Sequence, residues 1–201
     1  MIAIRTALVL TCALALPGVG HAADSQGRYA VKGAGIGTCK QFLEEREKRS
    51  QAYYVFAGWV DGFLSANNRF NEDTYDLASW ETNDVLTAYL AHHCGRNSDQ
   101  RFGAAVIAMI EALKKERLTE ASPPVQTTSG ETTVTVYAEA LRRAQEALAA
   151  LGHYKATPDG QYGPATRKAL EAFQTEKSLT VNGLPDQQTL FTLFRKPPQG
   201  Q

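Results

Sequence analysis

A turn followed by a helix occurs twice in the last third of the chain, and this repeat constrains the fold more than any other feature. Four residues return at a constant spacing of 23 positions: Thr157, Gly160, Thr166 and Leu170 recur as Thr180, Gly183, Thr189 and Leu193. Asp159 precedes the first glycine and Asn182 the second. Asp and Asn bond their own backbone and glycine adopts positive φ, so each pair predicts a tight turn. A calcium-binding loop is not expected at Asp159, since the alternate positions of an EF-hand loop that follow it lack carboxylates. The repeat instead predicts a pseudo-duplicated unit.

Apolar spacing predicts three helices around these turns. The first helix carries an apolar stripe at steps of three and four: Tyr137, Leu141, Ala144, Leu148 and Leu151. Gly152 ends it as a left-handed cap would. Pro164 opens the second helix, where the first residue has no use for its N–H, and Pro185 and Asp186 open the third. Residues 136–196 are thus predicted to form a small three-helix domain.

These residues belong to one longer motif: Leu141, Gln145, Leu148, Leu151-Gly152-His153-Tyr154, Asp159-Gly160, Gly163-Pro164, Thr166, Ala169-Leu170, Phe173-Gln174, Leu179, Gly183, Thr189 and Leu193. The motif resembles the three-helix peptidoglycan-binding domain that accompanies many bacterial cell-wall proteins. The resemblance implies peptidoglycan as a partner, lying along a shallow groove near the Asx-Gly turn and the helix after it. The contact residues it implies are Tyr154, Asp159, Tyr162, Arg167 and Gln174. Aromatic faces suit sugar rings, and Arg167 could meet a stem-peptide carboxylate.

The first residues have the anatomy of a secretory signal peptide. Arg5 precedes an apolar run from Thr6 to Leu16, and Pro17 then breaks this run. Small residues at Gly20 and Ala22 suit cleavage, so residues 1–22 are predicted to be a signal peptide. No later segment approaches 18 uninterrupted apolar residues, so no membrane insertion is expected after cleavage. The sequence predicts a periplasmic protein.

Two cysteines, Cys39 and Cys94, remain once residues 1–22 are removed. An even pair in an oxidising compartment predicts one disulfide. The alternative is a metal site that uses His92, His93 and Cys94. Adjacent helical residues point about 100° apart, so the two imidazoles do not converge easily on one ion, and a disulfide would consume the thiolate. We therefore predict a disulfide and no metal.

The block before residue 118 is predicted to contain four helices. Thr38 and Gln41 form a capping box that places Cys39 in the first turn of a helix. The second helix is apolar over a wide arc, with these residues: Ala52, Tyr53, Phe56, Trp59, Val60, Phe63 and Leu64. A third follows Thr82, and Asn97 or Ser98 is predicted to cap the fourth. The sequence therefore predicts a four-helix domain over residues 23–118, stapled by the disulfide.

Residues 119–135 have little to bury and contain two adjacent prolines, so they are predicted to be a flexible linker. Residues 132–136 alternate enough for a short strand, but a lone strand is marginal. The predicted fold class is therefore all-α, with two small helical domains joined by a flexible linker. Few contacts should cross such a linker, so the two domains are expected to melt independently.

The N-terminal motif comprises Gly37-Thr38-Cys39, Gly58-Trp59-Val60-Asp61-Gly62-Phe63, Trp80, Tyr89, Cys94-Gly95-Arg96-Asn97, Phe102 and Ala105-Val106. It looks like the secreted helical Rap/Tai proteins, which are immunity proteins against type VI secretion effectors. It is also similar to the HdeA-like periplasmic acid-stress chaperones, which are helical with one disulfide. These resemblances imply a protein partner, either periplasmic or an effector. An acid-stress chaperone is the alternative function.

Charge and composition argue against two further functions, nucleic-acid binding and catalysis. The chain balances 21 basic against 21 acidic residues, so nucleic acid is not an expected partner. A wall hydrolase needs a zinc trio, a cysteine nucleophile with histidine, or a glutamic acid in a cleft. Both cysteines are expected to be paired, and Glu44, Glu45 and Glu47 crowd one exposed helix. We therefore predict a non-enzymatic protein without catalytic residues or cofactors; a less favoured alternative is an accessory part of a cell-wall hydrolase.

Overall fold

The computed structural model describes residues 24, 26 and 28–195. The predicted signal peptide, residues 1–22, lies outside the described residues. The elements in chain order are α1 (Cys39–Glu47), α2 (Gln51–Phe70), α3 (Asn83–Arg96), α4 (Phe102–Leu113), β1 (Pro124–Ser129), β2 (Thr132–Tyr137), α5 (Ala138–Ala150), α6 (Pro164–Glu176) and α7 (Gln187–Phe194). Within this described part, no helix is both long and apolar enough to cross a membrane.

We call residues 32–118 the N-terminal block; helices α1 to α4 form it around an aromatic core. The predicted capping box starts α1: the Gln41 N–H donates to Thr38 Oγ1 (3.2 Å), and the Thr38 N–H donates to Gln41 Oε1 (2.9 Å). Phe42 is fully buried, and its ring centroid lies 5.7 Å from that of Phe56 and 4.7 Å from that of Phe102. This core holds the four helices together by apolar burial.

The disulfide Cys39–Cys94 joins the first turn of α1 to the last turns of α3, which confirms the predicted bond. Its two Cα atoms are 4.9 Å apart, and both cysteines are fully buried. The bond closes a sequence separation of 55 residues. A loop of this length restricts the unfolded chain considerably, so the bond supports the N-terminal block.

The prediction that Asn97 or Ser98 caps the fourth helix is wrong. Helix α4 begins at Phe102, after Arg101. The loop before it instead caps α1: the carbonyls of Ser98 and Gln100 accept from the first N–H groups of that helix, at 2.8 and 2.9 Å. The sequence before α4 therefore satisfies backbone donors of another helix, a tertiary role that local capping rules do not show.

The fold is mostly helical rather than all-α, because part of the predicted linker forms an antiparallel hairpin. Strands β1 and β2 pair from Pro124 opposite Tyr137 to Ser129 opposite Thr132. Gly130 has a φ of 58° in the two-residue turn between them. The strands are rich in threonine and valine, which favour extended structure, and β1 gives the predicted short strand its partner. Most of residues 119–135 is therefore built structure rather than flexible linker.

We call residues 138–195 the C-terminal domain, and its three helices have the predicted boundaries within a few residues. Gly152 follows α5 with a φ of 84°, as a left-handed cap does. Pro164 is the first residue of α6. The Asp186 side chain caps α7 by accepting from the Thr189 N–H at 2.8 Å. Each helix thus ends or begins where turn chemistry in the sequence indicates.

Arg195 ties the C-terminal domain to the N-terminal block, in a contact that we call the joint. Its guanidinium donates to Glu81 Oε1 (2.8 Å), Glu116 Oε1 (3.2 Å) and Tyr89 Oη (3.0 Å). It also lies 5.5 Å from the ring centroids of Trp80 and Tyr89, within cation–π range. Burial raises the pKa of Glu81, and Arg195 partly opposes this.

Gln187 and Trp80 complete the joint. The Gln187 amide donates to the Trp80 carbonyl (2.6 Å) and accepts from the Thr82 N–H (2.9 Å). The indole packs in one apolar cluster with the following residues of the hairpin and C-terminal domain: Val136, Ala140, Leu141, Ala144 and Leu190. Residues 32–195 lie within one compact unit. We therefore expect the two halves to stabilise each other, contrary to the independence that the sequence predicted.

Candidate functional site

A buried glutamine of α5 organises the first Asx-Gly turn of the C-terminal domain. Gln145 is fully buried, and its Oε1 accepts from the N–H groups of Asp159 (2.8 Å) and Gly160 (2.9 Å). Its Nε2 donates to Asp159 Oδ1 (3.1 Å), the Gln161 carbonyl (2.9 Å) and Thr166 Oγ1 (2.9 Å). One amide therefore fixes both the turn and the start of the following helix.

A second buried glutamine does the same for the second turn. Gln174 of α6 is fully buried, and its Oε1 accepts from the N–H groups of Asn182 (3.0 Å) and Gly183 (2.9 Å). Its Nε2 donates to Asn182 Oδ1 (2.9 Å), the Leu184 carbonyl (3.0 Å) and Thr189 Oγ1 (3.0 Å). The repeat seen in the sequence is thus a repeated hydrogen-bond network, with matching donors and acceptors in both copies.

Both turns require glycine. Gly160 has a φ of 72°, and a Cβ there would lie 2.5 Å from the Ala138 carbonyl oxygen. Gly183 has a φ of 70°, and its Cβ would lie 2.7 Å from Arg167 Cγ. Only glycine combines this backbone conformation with such close neighbours. The second glycine therefore lets Arg167 lie directly against the turn.

Tyr162 and Arg167 lie together at the second turn, although they follow the first turn in sequence. The Tyr162 hydroxyl donates to the Gly183 carbonyl (2.8 Å). Arg167 Nε donates to Glu171 Oε1 (2.9 Å), and its Nη2 reaches Ser129 Oγ of the hairpin (3.4 Å). We call Tyr162, Arg167, Glu171, Gly183 and Ser129 together the turn surface. Neither Glu171 nor Ser129 was predicted from sequence; the Arg167/Glu171 spacing of four on one helix is the signal that indicates the first.

The turn surface combines one accessible cation with a half-buried aromatic ring. The Arg167 side chain is 49% exposed, and its hydrogen bond to Glu171 raises the guanidinium pKa further. Tyr162 is half-buried, and this burial raises the pKa of its phenol. Both groups keep their ordinary charge at neutral pH. The surface can therefore offer a cation to a carboxylate and part of an aromatic ring to a sugar.

The other three candidate residues lie elsewhere. Asp159 is exposed at the first turn, beside a polar cavity of about 310 Å³ that Arg142 and Arg143 also line. The Gln161 N–H and then the Gln145 amide lower its pKa, so it stays ionised. Tyr154 is 6% exposed and packs in the core, and Gln174 is fully buried in its network. The turn surface thus contains two of the five predicted contact residues.

Arg142 and Arg143 beside Asp159 are already engaged within the protein. Arg142 donates to both carboxylate oxygens of Glu139, each at 2.7 Å. Arg143 donates to Glu139 Oε1 (3.2 Å) and to the Glu116 carbonyl (2.6 Å). The bond from Arg143 to the Glu116 carbonyl connects α5 to the end of the N-terminal block. The cavity at the first turn therefore offers fewer free donors than the turn surface does.

Metal chemistry has no visible basis in the described part of the chain. No group of three or more His, Cys, Asp or Glu side chains among those residues could hold a metal ion. His92 and His93, the alternative considered with Cys94, point to different partners. His92 contacts Arg96 (2.8 Å), whereas His93 contacts Gln100 (2.6 Å).

Comparison with known proteins bears on the C-terminal domain. Residues 137–193 match a family model described as a putative peptidoglycan binding domain. The match spans both turns, both glutamine networks and nearly all of α5 to α7. Neither the curated proteins nor the solved structures give a match to this chain. The matched residues do not include the N-terminal block, so the similarity to a peptidoglycan-binding domain is confined to residues 137–193.

Proposed function

We propose that the chain is an exported, non-enzymatic envelope protein that binds peptidoglycan through the turn surface of its C-terminal domain. The observation that carries the proposal is the match to a peptidoglycan-binding family over residues 137–193, which include Tyr162, Arg167 and Glu171 of this surface. Arg167 supplies the charge for a stem-peptide carboxylate. Tyr162 supplies a half-buried aromatic ring beside it.

Arg167 can exchange its present partner for a ligand at small cost. Its ion pair with Glu171 is exposed on both sides, with side-chain exposures of 49% and 38%. Exposed pairs of this kind contribute roughly 0–1 kcal/mol, because water screens them. A ligand carboxylate that accepts two parallel N–H bonds from the guanidinium would replace this pair with a stronger one. Arg167 is therefore the residue on which we expect binding to depend most.

Co-sedimentation with purified sacculi tests the proposal, using the chain without residues 1–22. We expect the wild type to sediment and Arg167→Ala to weaken binding about tenfold, since a charge-assisted bidentate contact is lost. Lys168→Ala is the matched control, because Lys168 is exposed on the same helix and carries the same charge. Equal losses of binding in the two variants would mean that only the net charge of the domain matters, not the position of Arg167. A wild type that stays in the supernatant would refute the proposal.

Tyr162 needs a gentler substitution because it is part of the fold as well as of the surface. Its hydroxyl holds the Gly183 carbonyl, and its ring packs against two apolar clusters. Tyr162→Ala is therefore expected to destabilise the domain, so Tyr162→Phe is the better probe. We expect Tyr162→Phe to remain folded by circular dichroism and to weaken sedimentation less than Arg167→Ala does.

Export is supported by the buried disulfide, since such bonds persist in oxidising compartments. The periplasm is the compartment we propose, reached through the predicted signal peptide. Mass spectrometry of the envelope protein should find an N-terminus after Ala22 or Ala23. Recovery of the chain with Met1 to Leu16 still attached would contradict this.

A protein partner for the N-terminal block is the second part of the proposal. A groove of about 350 Å³ lies between α3 and α4, with Leu90, Ala105, Ala108 and Met109 among its lining residues. Such an apolar groove suits an apolar segment of another protein. Ala108→Arg should prevent a partner protein from binding in the groove. Ala52→Arg, at an exposed site on α2, is the control and should leave this binding unchanged. Effector immunity, acid-stress chaperoning and a hydrolase-accessory role remain predictions from sequence.

A further inference from the structure

We propose that a cleft at the joint binds a neutral oligosaccharide, at a site separate from the turn surface. This joint cleft has a volume of about 530 Å³. The loop before α3, the hairpin and α7 all contribute to its wall, through Tyr75, Ser79, Trp80, Glu81, Tyr137 and Gln187. Cavities of roughly 300–1,000 Å³ are the size of ordinary small-molecule sites. The cleft can therefore hold a short glycan.

Tyrosine rings form one wall of the joint cleft and are held in place by the fold. Tyr75 is 41% exposed, and its ring meets that of Tyr137 edge-on at a centroid distance of 5.9 Å. The Tyr75 N–H donates to the Leu118 carbonyl at 2.7 Å, which fixes the backbone behind the ring. An accessible aromatic ring with a polar hydroxyl is suited to the apolar face of a sugar.

Ser79 supplies a polar group without a protein partner. Ser79 is 7% exposed and lines the cleft, and no hydrogen bond joins its hydroxyl to another residue in the described part of the chain. A hydroxyl on the wall of the cleft can donate one hydrogen bond and accept others, from water or from a ligand. A sugar hydroxyl is a partner of the right kind.

The charge of the joint cleft favours a neutral ligand. Glu81 is the one carboxylate among the described residues that line it, and Arg195 already neutralises this group at 2.8 Å. A charged peptide would meet no free opposite charge there. Glycoside hydrolysis uses a pair of carboxylates, so the cleft is suited to binding a glycan rather than cleaving it. Because both halves of the molecule form the wall, a bound glycan would also stabilise the joint.

Calorimetry with N,N′,N″-triacetylchitotriose, on the chain without residues 1–22, tests the proposal. We expect binding that Tyr75→Ala weakens about tenfold, since a stacking contact is lost. Tyr54→Ala is the matched control, because Tyr54 is an exposed tyrosine on α2 that does not line the cleft. Equal losses in the two variants, or no heat at millimolar sugar, would overturn the proposal.

A second set of measurements, begun with NMR spectra of the wild type, separates the joint cleft from the turn surface. Amide signals that shift with chitotriose should belong to residues 75–82 and 122–137. Shifts confined to residues 162–183 would place the sugar at the turn surface and overturn this proposal while leaving peptidoglycan binding intact. Arg167→Ala should reduce sedimentation with sacculi yet leave chitotriose binding unchanged. A sugar-free stem peptide that shifts the signals of residues 75–82 would also contradict the assignment.

Discussion

Phe42 and Gln145 are both fully buried, yet they stabilise the two halves of the molecule in different ways. In the N-terminal block, Phe42 packs against other aromatic rings beside a disulfide. In the C-terminal domain, Gln145 uses an amide to hold a turn and a helix start, and Gln174 repeats the arrangement. Apolar packing tolerates apolar substitutions that conserve volume, whereas a buried amide requires particular hydrogen-bond partners.

This contrast explains why the exposed functional side chains lie in the C-terminal domain. The glutamine networks fix the turns from inside, so the residues beside them are free to face solvent. Arg167 is exposed at such a turn, while the α-helices of the N-terminal block mainly surround an apolar core. The C-terminal domain therefore presents a defined polar surface, and the N-terminal block presents grooves between helices.

The largest expected effect on stability comes from removing the disulfide of the N-terminal block. Replacing Cys39 and Cys94 together by Ala should lower the free energy of unfolding by about 4 kcal/mol on the chain-entropy model. Urea denaturation of the oxidised protein measures it. Because the joint couples the halves, the C-terminal domain should lose stability in the same transition. An unchanged C-terminal transition would restore the independent domains that the sequence predicted.

In the C-terminal domain, the change that corresponds to removing the disulfide is Gln174→Leu, which keeps the approximate size of the side chain but removes the amide. The N–H groups of Asn182 and Gly183 would lose their acceptor inside the protein. Unsatisfied buried groups cost about 1–3 kcal/mol each, so we expect a loss of about 3 kcal/mol in urea. Gln188→Leu, at an exposed site on α7, should change stability little. If both variants were equally stable, the networks would not be what distinguishes the two halves.

Local chemistry made much of each half predictable from the sequence. Thr38 and Gln41 marked the start of α1, and Pro164 and Asp186 marked the starts of α6 and α7, because caps act within a few residues. The duplicated turns were also predicted, although the glutamines that hold them were not recognised as their centre. Sequence spacing does not show burial, so the enclosed position of Gln174 is evident only from the structure.

The connection between the halves was not predictable in the same way. Arg195 and Glu81 are separated by 114 positions, and no periodicity relates them. The proline pair in the predicted linker indicated a break, but the break lies before a hairpin rather than in open chain. Tyr162 and Arg167 reach the second turn through tertiary packing, so their shared surface could not be read from their positions near the first.

A smaller loss of stability is expected when the ion pair and hydrogen bonds of the joint are removed. Arg195→Ala leaves Glu81 buried without its partner, but the Arg195 side chain is 30% exposed, so screening limits the loss to about 1–2 kcal/mol. Calorimetry should then show a broader transition as the halves uncouple. Lys155→Ala, an exposed change in the same domain, should leave the curve unaltered. A single sharp transition in both variants would show that the apolar cluster around Trp80 suffices for coupling.

The smallest expected effect is a pH dependence with opposite signs at two carboxylates. Burial raises the pKa of Glu81 above its ordinary value of 4.5, so the folded state holds a proton that the unfolded state releases. Its contribution to stability is therefore complete below that value and is lost as pH rises through the raised pKa. The bonds from Arg142, and then Arg143, lower the pKa of Glu139, so its contribution is present above 4.5 and is lost as pH falls.

Glu81→Gln should therefore flatten the fall in melting temperature above pH 4.5, whereas Glu139→Gln should flatten the loss below it. At neutral pH we expect Glu81→Gln to change the free energy of unfolding by less than about 1 kcal/mol, since an uncharged amide avoids the cost of burying a charge while giving up the pair with Arg195. Melting curves from pH 3 to pH 8 measure both slopes. If Glu81→Gln left the slope above pH 4.5 unchanged, the joint would be held by packing around Trp80 and not by a buried carboxylate, and the two halves would be joined by the same apolar chemistry that holds the N-terminal block.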